Sequence, residues 1–463
     1  MSSNVTSSNK DLEAQIDRCL ELISPSASDE SKFVGMMLLP RLLKQDDVTS
    51  VQRVFDGMNF KFIERLLRSS EQPNAEIPQT VLKEIGVSIL ACFARYEDMA
   101  SRKQMTDRIP AVSTVLSPND ATDVTKESLH ILLCVAVTKE GLVRMLDPDV
   151  LKNIFEIVIE SNSITEAERE LGVQVVKSVY ARACHQLHNG SVPSLASALK
   201  YSLRTIMDIC SNVFNKDQNH LKFAALDILS QILPDVPSEI MQKFKYESEK
   251  SSTSWLQSIR SGLRQVLSNK VAHQEAGDNV RDRAMLITAC LLRYFGTDWL
   301  FASLQATRQS RKQKEKKPAH RADEAHADAY FPALLIHLVA VETRVMIDDI
   351  NDHLHEVYEG RKSDILEEEK KLRQDTIVPV LFEILESAIH YLSTHYSEKE
   401  ESGMDPEMLL KVRTALTDTM DVVMELLQFM QTSQTDEQLA ESMVAQASMR
   451  IVALWLAEEG YEL

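Results

Sequence analysis

An all-α fold, an armadillo- or HEAT-like α-solenoid in which stacked helix pairs wind into a right-handed superhelix, is predicted by three observations. The chain has only 12 glycines in 463 residues, where average usage near 7% would supply roughly 32. Apolar side chains recur at helical spacing along its length, and no segment sustains the period-2 alternation of a strand. Two short helices joined by a turn cannot bury both of their apolar stripes alone. Side-by-side stacking of many pairs gives them a continuous core. Units of roughly 40 residues suit armadillo or HEAT repeats better than 34-residue tetratricopeptide repeats, whose Trp and Tyr positions are missing here.

Residues 1–10 are polar and expected as a disordered tail. Leu12, Ile16, Cys19, Leu20 and Ile23 then form one helical stripe that Ser24 and Pro25 end. A second helix from about Asp29 carries Phe33, Met36, Met37 and Leu38 and meets Pro40, which is expected to kink or split it. Thr49 and Gln52 have capping-box spacing ahead of Val54, Phe55 and Met58. Further helices are expected near 81–96, 129–137 and 150–159, and after Thr165 with Glu168, a second capping box that precedes Leu171, Val175, Val179 and Ala183. Others follow near 199–213, 221–233, 255–267 and 283–295. Residues 11–304 thus form the first part of the array. Residues 305–328, basic and then acidic with little apolar content, are expected as a flexible solvated loop. The array continues over 329–463, with helices near 331–358, 377–391, 408–430 and 439–456 and a polar break at 397–403.

The 69 acidic residues outnumber the 51 Lys and Arg, for a formal net charge of −18. That balance repels a nucleic-acid backbone and favours basic or amphipathic protein partners. Cys19, Cys92, Cys134, Cys184, Cys210 and Cys290 show no CxxC spacing and are expected as buried free thiols of a reducing compartment. The N-terminal stretch is not built like a signal peptide, and no uninterrupted apolar run approaches the roughly 18 residues that span a bilayer. A cytoplasmic protein without a transmembrane segment is the expectation.

Chemistry is harder to find. No Gly-x-Ser-x-Gly elbow, Walker loop or Gly-rich dinucleotide turn is present, so no catalytic, cofactor-binding or metal residues are assigned and an enzyme is not expected. One alternative stays open, an all-α metal-dependent hydrolase using Asp348, Asp349, Asp352, His353, His355 and Glu356, set against the simpler reading of a solvated acidic helix face. His185 and His188 have chelating spacing but no second ligand pair, and read as helix-end residues favoured by the C-terminal dipole. Arg308, Arg311, Lys312, Lys314, Lys316, Lys317 and Arg321, with His320, form a candidate docking loop. Its readings are an anionic lipid or phosphoprotein site, a nuclear localisation signal, or a plain insertion.

Several segments carry a family resemblance. They are Arg53-Val54-Phe55-Asp56-Gly57-Met58-Asn59-Phe60-Lys61-Phe62-Ile63-Glu64-Arg65-Leu66-Leu67, Gly86 to Ala94, Ile109-Pro110 with Ser113-Thr114, Gly296-Thr297-Asp298-Trp299, Val341-Glu342-Thr343-Arg344, and Arg450 to Glu459. In this order they resemble the neurochondrin family from Leu12 to the C-terminus. They read locally as packing signatures: Phe60 and Phe62 as core aromatics, Gly57 as a helix C-cap, and Trp299 and Trp455 as buried anchors. The resemblance implies an armadillo-like, non-catalytic cytoplasmic scaffold, in a family whose animal members are tied to neurite outgrowth, receptor signalling and membrane-associated trafficking. Against the family pattern, the basic stretch at 311–317 reads as an insertion. The stop at Leu463 reads as a truncation, which would leave Ile451, Leu454 and Trp455 on an exposed apolar edge open to self-association.

Overall fold

Free N–H groups in a helix's first turn need acceptors, and in this chain side chains supply many of them. Ser28 Oγ accepts from Ser31 N at 3.2 Å, Asn59 Oδ1 from Phe62 N at 3.2 Å, and Thr138 Oγ1 from Gly141 N at 3.0 Å. Thr165 and Glu168 close the expected reciprocal capping box, and Thr435 with Gln438 closes another. The computed structural model describes residues 3–43, 48–70, 77–116, 123–160, 164–190, 192–216, 220–250, 254–268, 280–307, 319–358, 366–395 and 404–459, and among the described residues every regular element is helical.

From the N-terminus the chain runs through α1 (Ser3–Leu22), α2 (Asp29–Leu42), α3 (Val48–Gly57), α4 (Phe60–Leu67) and α5 (Gln79–Ala94). Three short helices follow, α6 (Glu97–Ala100), α7 (Lys103–Thr106) and α8 (Ile109–Ser113), then α9 (Asp123–Val135), α10 (Lys139–Met145), α11 (Pro148–Phe155) and a π-helical turn at Glu156–Glu160. Next come α12 (Glu166–His188), α13 (Pro193–Lys216), α14 (His220–Ile232), α15 (Ser238–Lys250), α16 (Ser254–Ser268), α17 (Val280–Phe295), α18 (Asp298–Phe301) and a 3-10 turn at Ala302–Ala306. The last elements are α19 (Ala319–Tyr358), α20 (Leu366–His395), α21 (Pro406–Ser433), α22 (Asp436–Glu441) and α23 (Met443–Glu459). Residues 1–213 with 218–246 form one unit, and residues 214–217 with 247–463 form a second.

In the first unit α1 packs on α2, α2 and α4 on α5, α5 on α9, α9 on α12, and α12 on α14. This nearest-neighbour ladder is how one-sided helices obtain a core. Two of the signature segments meet in it: Phe55 lies 5.0 Å from Phe60 and 5.1 Å from Phe93, both edge-to-face. Arg102 and Arg108 cover the outer faces of Phe55 and Phe60. Phe60 and Phe62 are buried as expected. Gly57 closes α3 as expected, but without left-handed backbone: among the described residues only Gly296 has a positive φ, of 76°. A Cβ on Gly57 would stand 2.8 Å from Leu20 Cδ2, so glycine there permits close helix approach.

In the second unit α16 packs on α17 and α19, α17 on α20, α19 on α20 and α21, and α23 on both α20 and α21. Arg373 of α20 ties three helices together, with bonds of 2.7 and 2.9 Å to Asp282 of α17 and 2.7 Å to Glu342 of α19. Arg293 makes a bidentate pair with Glu383, and Arg450 reaches Glu386 at 2.7 Å. Ala327–Glu356 and Lys370–His395 are long and apolar enough by composition to cross a membrane, although neither contains an unbroken apolar run of that length. Half of each window is buried, and the Arg373 bonds run between these segments, so both serve here as core helices.

Pro332 lies inside α19 and supplies no N–H to the carbonyl of Asp328 four residues back. Arg260 of α16 takes that place. Its Nη2 donates to Asp328 O at 2.9 Å and to Ser303 Oγ at 2.7 Å, and its Nη1 donates to Asp328 Oδ1 at 2.5 Å. Two guanidiniums of α12 do the same in the first unit. Arg182 donates to Leu133 O at 3.0 Å and Ala136 O at 2.9 Å at the end of α9, and Arg169 donates to Val158 O in the π-helical turn.

Several expectations give way. The run expected as a disordered tail over 1–10 is helical from Ser3. Thr49 is inside α3, which starts at Val48, and Gln52 bonds Asp56 and Arg102 instead of closing a cap. Pro40 neither splits α2 nor starts a new helix. It sits in the last turn, and the helix ends two residues later at Leu42. The expected 305–328 loop is helical from Ala319, in a stretch where alanine, the best helix former, recurs. Trp299 is only half-buried. Ile451 and Trp455 form no exposed edge: they are 0% and 8% exposed, because α23 lies against α20 and α21.

Two measurements check this packing. Arg260→Met is expected to cost about 1–2 kcal/mol in denaturant unfolding, because it leaves Asp328 O without a donor while water rehydrates the half-exposed carboxylate. In a Pro332→Ala background, where the restored N–H can serve the same carbonyl, the cost should fall by at least about 0.5 kcal/mol. The second concerns thiols. Burial pushes Cys184 and Cys290 up to about 12 and raises Cys210 further still, so the reactive thiolate is scarce at neutral pH. Iodoacetamide on the native chain at about pH 8 should modify the half-buried Cys134 first, and Cys184, Cys210 and Cys290 only after unfolding.

Candidate protein-binding surface

Between Ala333 and Val341, α19 reads Ala-Leu-Leu-Ile-His-Leu-Val-Ala-Val, apolar nearly all round. A helix of that kind needs cover on more than one side. Leu335, Ile336, Val339 and Ala340 are buried in the second unit, whereas Leu334, Val341 and Val345 remain exposed. On α21 the buried stripe is Met408, Val412, Ala415, Leu416 and Thr419, and Leu410 stands beside it 66% exposed.

A groove of about 940 Å³ lies between these two helices. Ala333, Met408, Val412 and Ala415 line its base, with Leu334 and Leu410 on its rims. Cross-links mark its two ends. Tyr330 Oη donates to Asp405 Oδ2 at 3.3 Å, while Asp405 N donates to Thr307 Oγ1 at 2.9 Å. Arg344 Nη1 lies 3.6 Å from Asp418 Oδ2. The two links advance together along both helices, so α19 and α21 run parallel. Fourteen residues at 1.5 Å each give the groove a length of about 21 Å. Lys411 pairs with Glu407 at 3.0 Å, and His337 completes a rim with charges of both signs.

The groove contains no nucleophile–base pair and no convergent carboxylates. Its geometry suits an apolar helix face about four turns long, steered by charges at its margins. Sequence reasoning missed these residues because Leu334 and Leu410 fall in stretches that read as core. The available signal was the apolar character of α19 on more than one face.

Among the described residues, those weighed for chemistry are not assembled into a site. Arg308, Arg311, Lys312, Lys314, Lys316 and Lys317 lie outside the described residues, and Arg321 falls in the first turn of α19. The Asp348–Glu356 run divides among separate partners: Asp349 pairs with Lys370 at 3.0 Å, and the His355 ring lies 3.9 Å from that of Phe429. Among the described residues no group of three or more His, Cys, Asp or Glu is placed to hold a metal ion. His188 bonds the Asp235 carbonyl at 3.1 Å and His185 contacts Asn189, each at the end of α12. Divalent metal measured on the purified chain after mild dialysis is therefore expected to be sub-stoichiometric.

A family model described as Neurochondrin matches residues 10–463. The chain is 22% identical over 427 residues to the neurochondrin of Xenopus laevis, covering 86% of this chain and 52% of that protein. It is 23% identical over 468 residues to the neurochondrin homolog of Drosophila melanogaster, covering 97% and 54%. It thus spans about half the length of the curated relatives it matches. Among solved structures, a circular tandem repeat protein aligns over 97% of this chain and 93% of its own at 13% identity, with a TM-score of 0.19.

Proposed function

The chain belongs to the neurochondrin family, and from that premise we propose that it is a non-catalytic cytoplasmic scaffold that holds a protein partner in the groove between α19 and α21. The observation that carries this reading is the groove itself: an apolar base and rims about 21 Å long, left uncovered by the fold between two parallel helices. A surface of this kind takes an amphipathic helix, whose apolar side fills the base while its polar side meets Arg344, Lys411, Glu407 and Asp418. Binding of this kind fits a signalling or membrane-trafficking adaptor. Its chemistry is recognition, with affinity resting on a few anchoring side chains and rim charges setting register and approach rate.

Crosslinking affinity purification of the full chain from cytoplasm, with Leu334→Glu and Leu410→Glu beside the parent, tests the proposal. Both side chains are exposed, so each variant should unfold within about 0.5 kcal/mol of the parent. Saturable partners crosslinked to residues near the groove in the parent, and captured at least roughly tenfold less by either variant, are expected. Capture unchanged by both substitutions would place the partner elsewhere and remove the groove from the account.

A further inference from the structure

The outer face of α2 carries a second apolar surface, unrelated to the groove. Val34, Met37 and Leu38 are 50%, 45% and 42% exposed, while Met36 and Leu39 of the same helix are fully buried. Gly35 seats α2 tightly on α1: a Cβ there would stand 2.8 Å from Ile23 Cγ2. The inner face is therefore committed to the core, and the outer one is free of any such task. Exposed Glu30 precedes the apolar triplet by one turn and exposed Arg41 follows it by one turn. Residues 30, 34, 37, 38 and 41 form one continuous stripe at helical spacing.

Each end charge has an ordinary purpose, since an acid in the first turn and a base in the last complement the helix dipole. The dipole does not explain three exposed apolar side chains between them. The order acid, apolar, apolar, base is self-complementary when the helix is reversed. Setting α2 antiparallel to α2 of a second copy, with the two-fold axis passing between residues 35 and 36, brings Glu30 against Arg41 of the other copy. The same register brings Val34 against Met37 of the other copy. Both pairs occur twice, and the opposed helix dipoles add to the match. A two-fold contact of this isologous type closes on itself and does not propagate.

We propose that the chain self-associates through this face as an antiparallel α2–α2 homodimer, independently of the groove. The stripe is about 16 Å long, a contact at the small end of specific interfaces, so micromolar, salt-sensitive association is expected. This contact differs from the one the C-terminal helix was expected to make through Ile451, Leu454 and Trp455, because Ile451 and Trp455 are buried within the second unit.

Sedimentation equilibrium of the full chain, up to roughly 100 µM, tests the proposal with Glu30→Arg, Arg41→Glu and the double exchange. The parent should approach a dimer. Each single variant sets like charges against each other and should shift to monomer, with at least roughly a tenfold weaker dissociation constant. The double exchange should restore the dimer. Most tellingly, an equimolar mixture of the two single variants should associate although neither does so alone, because each supplies the charges that the other needs. A parent that stays monomeric throughout overturns the proposal. So does a dimer insensitive to Arg41→Glu, or a mixture that remains monomeric. Far-UV circular dichroism identical to the parent's confirms that a lost dimer is not a lost fold.

Discussion

A guanidinium reaching across a helix interface to a backbone carbonyl recurs at three breaks among the described helices. Arg260 serves Asp328 O, left without a donor by Pro332. Arg182 serves Leu133 and Ala136 where α9 ends, and Arg169 serves Val158 in the π-helical turn. A carbonyl left without a partner away from water costs roughly 1–3 kcal/mol, and at each of these three breaks a neighbouring helix delivers an arginine to it. Arg260, Arg169 and Arg182 thus add a polar tie to interfaces that the apolar stripes bury. Bonds to a ladder of successive helices also explain how two units can each hold a core although no helix pair within them is self-sufficient.

The groove follows from the same constraint. Pro332 and Arg260 anchor the early part of α19, and the Arg373–Glu342 bond ties its middle to α20, which Arg373 also ties to α17 through Asp282. With one side of α19 thus occupied, the apolar residues on its other side meet α21 only in part. Leu334 and Leu410 are left to frame an open channel. The surface available for recognition is the remainder of an apolar helix after its polar ties have been made.

The helices were legible because period 3.6 needs only a pattern of residue types, and that pattern survives any detail of packing. Thr165 with Glu168 was legible as a cap because the polar sequence Ser161-Asn162-Ser163 precedes it. Thr49 with Gln52 has the same spacing, but spacing alone does not say where a helix begins, and Val48 already lies inside α3. Gly57 was legible in part: a glycine after an apolar stripe signals a helix end, and α3 ends there, whereas the close approach to Leu20 depends on a contact made 37 residues away. Leu334 and Leu410 were illegible because an apolar residue in a helical run looks the same whether it is covered or open. The Asp348–Glu356 run looked like a ligand set only while its partners, Lys370 and Phe429, were unknown.

Hydrogen exchange on the full chain, alone and bound to a partner captured from cytoplasm, is the most direct measurement of the central claim. Slowed exchange over residues 330–344 and 405–418, with the partner recovered chemically unchanged, is the predicted result. Exchange in those two stretches identical with and without the partner, or a partner recovered in chemically altered form, would contradict it.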